Sequence, residues 1–174
     1  STLLSTQLEN MPDDIVVESD AVACGQCHSR NNGTLVSAKD GFIDHNAQYD
    51  ELLSAGHNAL ACVNCHDPHV STQHGSDGIM RKCTECHENM NNPTHNGADC
   101  ITCHMPNATK SAVASNIYVG DIRTHIFKLN PAADGEMFNE DGTIANASSG
   151  ITLGFACYQC HKDENGVGGN NSTR

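Results

Sequence analysis

Five times in this chain two cysteines separated by two residues are followed at once by a histidine. The copies are Cys24-Gly-Gln-Cys27-His28, Cys62-Val-Asn-Cys65-His66, Cys83-Thr-Glu-Cys86-His87, Cys100-Ile-Thr-Cys103-His104 and Cys157-Tyr-Gln-Cys160-His161. Two thiols at that spacing bond to the edge of a porphyrin while the adjacent imidazole binds its iron, which is the pattern of covalent c-type haem attachment. All ten cysteines are consumed in this way. A disulfide framework does not require a histidine after every second cysteine. Zinc takes two knuckles per site and leaves one of five unpaired. The motifs therefore predict five covalent haem c groups.

The second axial ligand decides what such irons can do. Eleven histidines less the five in the motifs leave six candidates: His45, His57, His69, His74, His95 and His125. Six for five irons is enough for bis-histidine ligation throughout, which closes both faces of the iron and restricts it to electron transfer. His57, His69 and His95, threaded among the three central motifs, are the expected sixth ligands there. His57 and His95 each precede a motif cysteine by five residues, a repeated placement that predicts a shared role. His74, in a polar loop five residues after His69, is the most dispensable of the six. Methionine, at positions 11, 80, 90, 105 and 137, is the competing ligand and would raise the reduction potential; these positions are scattered without a partner motif.

The elements that must position these groups are short. Tyr49, Leu52 and Leu53 fall at helical spacing and predict a helix over 46–55, with Asp44 as a candidate cap and Gly56 as terminator. Such a rod, about 15 Å long at 1.5 Å per residue, separates His45 from His57. The turn signal Asn31-Asn32-Gly33 should end any helix begun at the first motif. Asn91-Asn92-Pro93 should stop a short helix carrying Cys83 to His87. The central first cysteines lie 21 and then 17 residues apart, too close for separate folds, so neighbouring haems are expected to share walls. His125 is delivered from an apolar segment with Ile122, Ile126, Phe127 and Leu129. A small β-hairpin is expected near 137–144, turning at Asp141-Gly142.

Composition sets the frame. Of 174 residues only 37% are hydrophobic and 4% aromatic, with no tryptophan. So weak a core needs staples, and the expected fold class is mainly irregular with short α-helices, organised around stacked haems. One domain is expected over 1–174, with an N-terminal arm (1–23, carrying Ile15-Val16-Val17) and a Gly/Asn-rich tail (162–174). The formal charge of −12 disfavours nucleic acid and anionic lipid and favours basic redox proteins or metal and mineral acceptors. No apolar run approaches the roughly 20 residues of a membrane span.

The segments Gly56-His57 through Cys65-His66-Asp67-Pro68-His69, Cys100 to Pro106, Gly120 to Phe127 and Phe155 to His161 resemble the multihaem cytochromes of anaerobic respiration. That group includes pentahaem nitrite reductases with their electron donors, and the OmcE-like surface cytochromes that polymerise into conductive filaments. The resemblance implies a multihaem cytochrome c fold and an export signal already removed, hence a periplasmic, extracellular or cell-surface location. It also implies self-association, in which a histidine ligates a haem of the next subunit. The ammonia-forming reductases of the group use lysine at their catalytic haem, whereas all five motifs here end in histidine. The expectation is an electron carrier and not an enzyme, as a filament subunit or periplasmic shuttle. The alternative is a small oxyanion or nitrogen-compound reductase with one open haem.

Overall fold

The structure is a computed structural model that describes residues 20–72, 77–88, 90, 95 and 98–161. The arm from 1 to 19, the tail from 162, His74 and the Asn91-Asn92-Pro93 stop signal lie outside the described residues.

Helix α1 (Asp20–His28) carries the first motif and ends where the sequence predicts, with Asn32 and Gly33 both at positive φ. Strands β1 (Val36–Lys39) and β2 (Phe42–Asp44) follow, joined by Asp40-Gly41. Both turn residues have positive φ, 53° and 77°. That geometry suits the tight two-residue turn whose twist matches the strands, and Asp-Gly is a preferred pair for it. The hairpin was not anticipated, although its signal stands in the sequence.

Committing Asp44 to β2 removes it as a helix cap. Helix α2 (Gln48–Ser54) begins after Ala47, which makes no side-chain capping bond, and its seven residues make a rod of about 10 Å. Two single 3₁₀ turns, Cys62–Asn64 and Cys83–Glu85, then carry the second and third motifs. Helix α3 (Cys100–His104) carries the fourth. Strands β3 (Thr109–Lys110), β4 (Leu129–Asn130), β5 (Ile144–Ala145) and β6 (Ile151–Thr152) lead into helix α4 (Leu153–Cys157), which opens the fifth motif.

β3-β2-β1-β5 form one small sheet, with β2 and β3 parallel, and β4 pairs with β6. The expected hairpin at 137–144 is present in reduced form. Gly142 has φ 72°, Gly142 N–H donates to Asn139 O at 2.9 Å, and a single antiparallel bridge joins Phe138 to Ala145. Beyond that bridge β5 turns to β1. The architecture is thus mixed α/β, with more sheet than the expected irregular fold.

A polypeptide core exists despite the composition. It gathers Val36, Phe42, Ile43, Ile126, Ile151 and Phe155 with small alanines between them. Phe155 is its centre: Phe42, Phe138 and Tyr118 each set an edge against it, at centroid separations of 5.7–5.9 Å. The core comes from residues 36–55 and 106–156. From 56 to 105 no described hydrophobic side chain is buried.

Two adjacent carboxylates on α2 are fully buried. Asp50 accepts from the Ser29 hydroxyl at 2.6 Å, Arg30 N–H at 2.7 Å and Gly33 N–H at 2.7 Å, holding the turn that leaves the first motif. Glu51 faces the other way, toward Thr124 and His125.

On the surface, Asp121 accepts the N–H groups of Ser111, Ala112 and Val113 at 2.7–3.0 Å. Slight desolvation works to raise its carboxyl, but these three bonds outweigh it and hold the group below the ordinary 3.8. The stabilisation is therefore present above that value and fades as pH falls through the lower folded-state value. Asp121→Asn should lower the melting temperature most above about pH 5, with the difference vanishing in strong acid. Melts of both proteins from acid to neutral pH check this; a pH-independent difference would contradict it.

Candidate haem-binding site

Each motif is presented by one local turn. In the second, the Asn64 side chain accepts Ala61 N–H at 2.7 Å and His66 N–H returns to Cys62 O at 2.9 Å. In the third, Glu85 accepts Lys82 N–H at 2.9 Å and His87 N–H reaches Cys83 O at 2.9 Å. The residue before the second cysteine thus caps its own turn in both. In the fifth, His161 N–H reaches Cys157 O at 2.9 Å. In the first, Gly25 lies under the Tyr49 ring, where an added Cβ would stand 2.9 Å from it, so α1 packs closely on α2. The fourth motif is braced by Arg123, whose guanidinium donates to Ile101 O and Met105 O at 3.2 and 2.8 Å. It is tied to the fifth by Gln159, which donates to Thr102 O.

Successive motifs face one another. The Cys65 thiol is pushed up by burial and, less, by Cys86, with Arg81 opposing. Cys83 is pushed up by burial and then Cys100, Cys103 by burial and then Cys160, and Cys157 by burial and then Cys103. Motifs two to five therefore form a continuous run of thiol neighbours.

The histidines come together in pairs. His57 and His87 have ring centroids 5.9 Å apart, His66 and His125 6.1 Å, and His95 and His161 5.8 Å. Two imidazoles bound on opposite faces of one metal, with metal–nitrogen bonds of about 2 Å, have ring centres roughly 6 Å apart. Burial and then the neighbouring His87 hold His57 below the ordinary imidazole value. Burial and then His28 do the same for His66. His125 falls to about 4, through burial first and then His66 and His28. These rings are neutral at physiological pH, the form that binds a metal. Nδ1 of His57 and of His125 is buried with no hydrogen-bond partner. His104 Nδ1–H donates to Phe127 O at 2.7 Å, the outer hydrogen bond that fixes a ligating histidine and leaves Nε2 free. Ten free cysteines and paired neutral imidazoles fit covalently bound haem c.

The pairing is not the one expected for the central stretch. His57 precedes the second motif and faces the third; His95 precedes the fourth and faces the fifth. Their shared placement thus corresponds to a shared geometry, each reaching one motif beyond the next. His66 lies opposite His125 rather than His69, whose backbone N–H donates to Asp67 while its side chain is exposed. The Arg30 guanidinium lies 3.1 and 3.4 Å from the two ring nitrogens of His45. His28, exposed at the end of α1, lies near His66. Among the methionines, Met137 is buried in the core and Met80 and Met90 are exposed. Sequence reasoning missed Asp50, Glu51 and Arg123 as supports. Their only signal was charge beside otherwise apolar or motif-bearing segments.

No protein family matches the chain, and no curated protein does. Among solved structures the chain is similar to Wolinella succinogenes octaheme sulfite reductase MccA, form II, with 18% identity and a TM-score of 0.45. The match covers 70% of this chain and 26% of that one, so this chain spans about a quarter of that protein. The expectation that the chain is not an enzyme is corrected by this finding, since the similar structure is that of a reductase. That similarity is to an octahaem protein and not to the OmcE-like or pentahaem groups. No helix among the described residues is long and apolar enough to cross a membrane.

Proposed function

We propose that the protein transfers electrons through five covalently bound haem c groups, one at each motif. The observation that carries this reading is the three imidazole pairs at 5.8–6.1 Å. On this reading His57 and His87, His66 and His125, and His95 and His161 are axial pairs, and the ten cysteines supply the thioether anchors. Haem so held supplies one-electron exchange between ferric and ferrous iron. The chain's own residues do the rest. The paired imidazoles would hold the irons, Phe127 O fixes the tautomer of His104, and the run of thiol neighbours from Cys65 to Cys157 keeps motifs two to five contiguous.

The net charge of −12 suits basic redox proteins or metal and mineral acceptors as partners. Export follows from the covalent attachment, which takes place outside the plasma membrane. Among the described residues His104 lies opposite no second imidazole, and the exposed His28 lies beside the His66–His125 pair. His45 meets Arg30, and the exposed His69 belongs to none of the three pairs. This arrangement supports self-association into a filament, with a histidine of one copy closing an iron of the next. The same observation favours the second reading, a reductase with an open iron for nitrite, hydroxylamine or a sulfur oxyanion.

Pyridine haemochrome analysis should count five haems per chain. The ferric EPR spectrum should be low-spin throughout in assembled protein. A high-spin component that persists in assembled protein and changes with sulfite or nitrite would replace simple electron transfer by the reductase reading. Fewer than five haems would overturn the count.

A further inference from the structure

The chain has four phenylalanines. Phe42, Phe138 and Phe155 build the core aromatic cluster, whereas Phe127 lies among histidines. Its ring meets His57 edge to face at a centroid distance of 4.5 Å and meets His125 at 6.0 Å. Its carbonyl accepts His104 Nδ1–H. These three histidines belong to three different sites: His57 lies opposite His87, His125 opposite His66, and His104 is in the fourth motif. One residue thus touches a ligand at each of the three closely spaced motifs.

Its backbone is unusual. Phe127 has φ 58°, a region that bulky L-residues avoid and glycine enters freely. Lys128 N–H donates to Ile126 O across it at 2.6 Å, which makes a three-residue turn of the rarer, strained hand. Both flanks are clamped. Ile126 is fully buried in the core, and Lys128 O accepts Ile151 N–H at 2.8 Å. Such strain persists where surrounding structure over-determines it, and it marks functional positions. A glycine would satisfy the turn but would leave His57 and His125 without their shared neighbour.

We infer that Phe127 is a positioning residue for the axial histidines of motifs two, three and four. Its ring sets the rotation of the His57 and His125 imidazoles, and its strained turn aims the carbonyl that orients His104. This rests on the haem reading above. The ring planes stand at 81° in the His57–His87 pair, 36° in the His66–His125 pair and 85° in the His95–His161 pair. The g values of low-spin ferric haem follow the mutual angle of the axial imidazole planes, so the 36° pair has its own signature, while the 81° and 85° pairs share a near-perpendicular one of which half should move and half should stay. The third pair serves as an internal control.

The test uses EPR spectra and spectroelectrochemical titrations of the full haem-loaded protein, for wild type, Phe127→Leu, Phe127→Tyr and Phe127→Gly. Leucine and glycine should shift the g values and midpoint potentials of two haems and leave the His95–His161 signal in place; tyrosine should restore the wild-type spectrum. Leucine failing to load haem while tyrosine loads fully would likewise support the ring's role. A lower melting temperature with unchanged spectra and potentials in the leucine and glycine variants would overturn it, as would tyrosine behaving like leucine. Wild type lacking low-spin haem signals altogether would overturn the haem reading itself, whatever the variants do.

Discussion

Replacing Cys83 and Cys86 together by alanine is expected to release the segment from Arg81 to Met90 while the core stays folded and the Ile79–His66 bridge and the Met80 N–H to Cys65 O bond remain. Every residue from Arg81 to Glu88 is exposed, and Ile79 and Met80 present their side chains to solvent. The polypeptide holds this segment with few bonds. They include His87 N–H to Cys83 O, Lys82 N–H to the Glu85 carboxylate and a half-exposed Arg81–Glu85 pair at 3.9 Å. Exposed pairs contribute about 0–1 kcal/mol, too little to fix a loop whose ordering costs roughly 1–2 kcal/mol per residue. On the haem reading, two thioethers and the binding of His87 and His57 would supply the difference. Hydrogen exchange should therefore show amides of His87 and Met90 falling to near the unprotected rate, as expected where local opening costs almost nothing. Ile43, Ala145 and Ile151 should keep their protection. Unchanged protection at His87 would mean that the polypeptide alone holds the segment.

Replacing Glu51 by leucine is expected to destabilise the protein by about 3 kcal/mol or more at pH 5, since each orphaned buried polar group costs about 1–3 kcal/mol. Its carboxyl accepts Thr124 Oγ1–H at 2.6 Å, the N–H of His125 and, more weakly, Thr109 Oγ1–H at 3.4 Å. Leucine leaves all three facing apolar atoms. The loss corresponds to roughly 10 °C in melting temperature for a chain of this size. Because His125 is held through its backbone, its imidazole should also lose its place opposite His66, visible as a changed low-spin signal.

Ionisation gives this group a second signature. Burial pushes the Glu51 carboxyl up from 4.5 to about 7, against the opposing hydrogen bonds from Thr124, His125 and Thr109. Between those values the folded state holds a proton that the unfolded chain has released. The contribution is complete below pH 4.5 and is lost as pH rises through about 7, a decline of about 3 kcal/mol across the window. Glu51→Gln resembles the protonated acid, with its amide oxygen for Thr124 and His125 and its NH₂ group for Thr109. It should flatten that dependence and keep the His125 signal. Melting curves of both variants against pH check the sign; stability rising from pH 5 to 7 in wild type through this group would refute it.

The five motifs and the turns that present them were legible in the chain because they are local. Cys83 to His87 is five residues, and the geometry that aims two thiols and an imidazole at one group is set within a single turn. The end of α1 at Asn32-Gly33 and the Asp141-Gly142 turn were legible for the same reason: positive φ is a property of one or two residues. The Asp40-Gly41 hairpin was equally local. Overlooking it is what misassigned Asp44 as a helix cap.

The pairing of the imidazole rings was not legible. His57 and His87 are 30 residues apart, His66 and His125 59, and His95 and His161 66. No periodicity links residues at such separations. The meeting of His66 with His125 depends on where the core sets the 106–156 segment against α2. Glu51 on α2 fixes Thr124 and His125, and the strained turn at Phe127 brings one ring and one carbonyl to three histidines. The core itself was underestimated from composition, because alanines at close contacts and three aromatic rings around Phe155 pack densely without many large residues. The sequence by itself determined the five Cys-x-x-Cys-His motifs and the local turns that present their thiols and imidazoles. Tertiary structure decided which imidazoles face each other, because that choice depends on contacts between segments that share no local pattern.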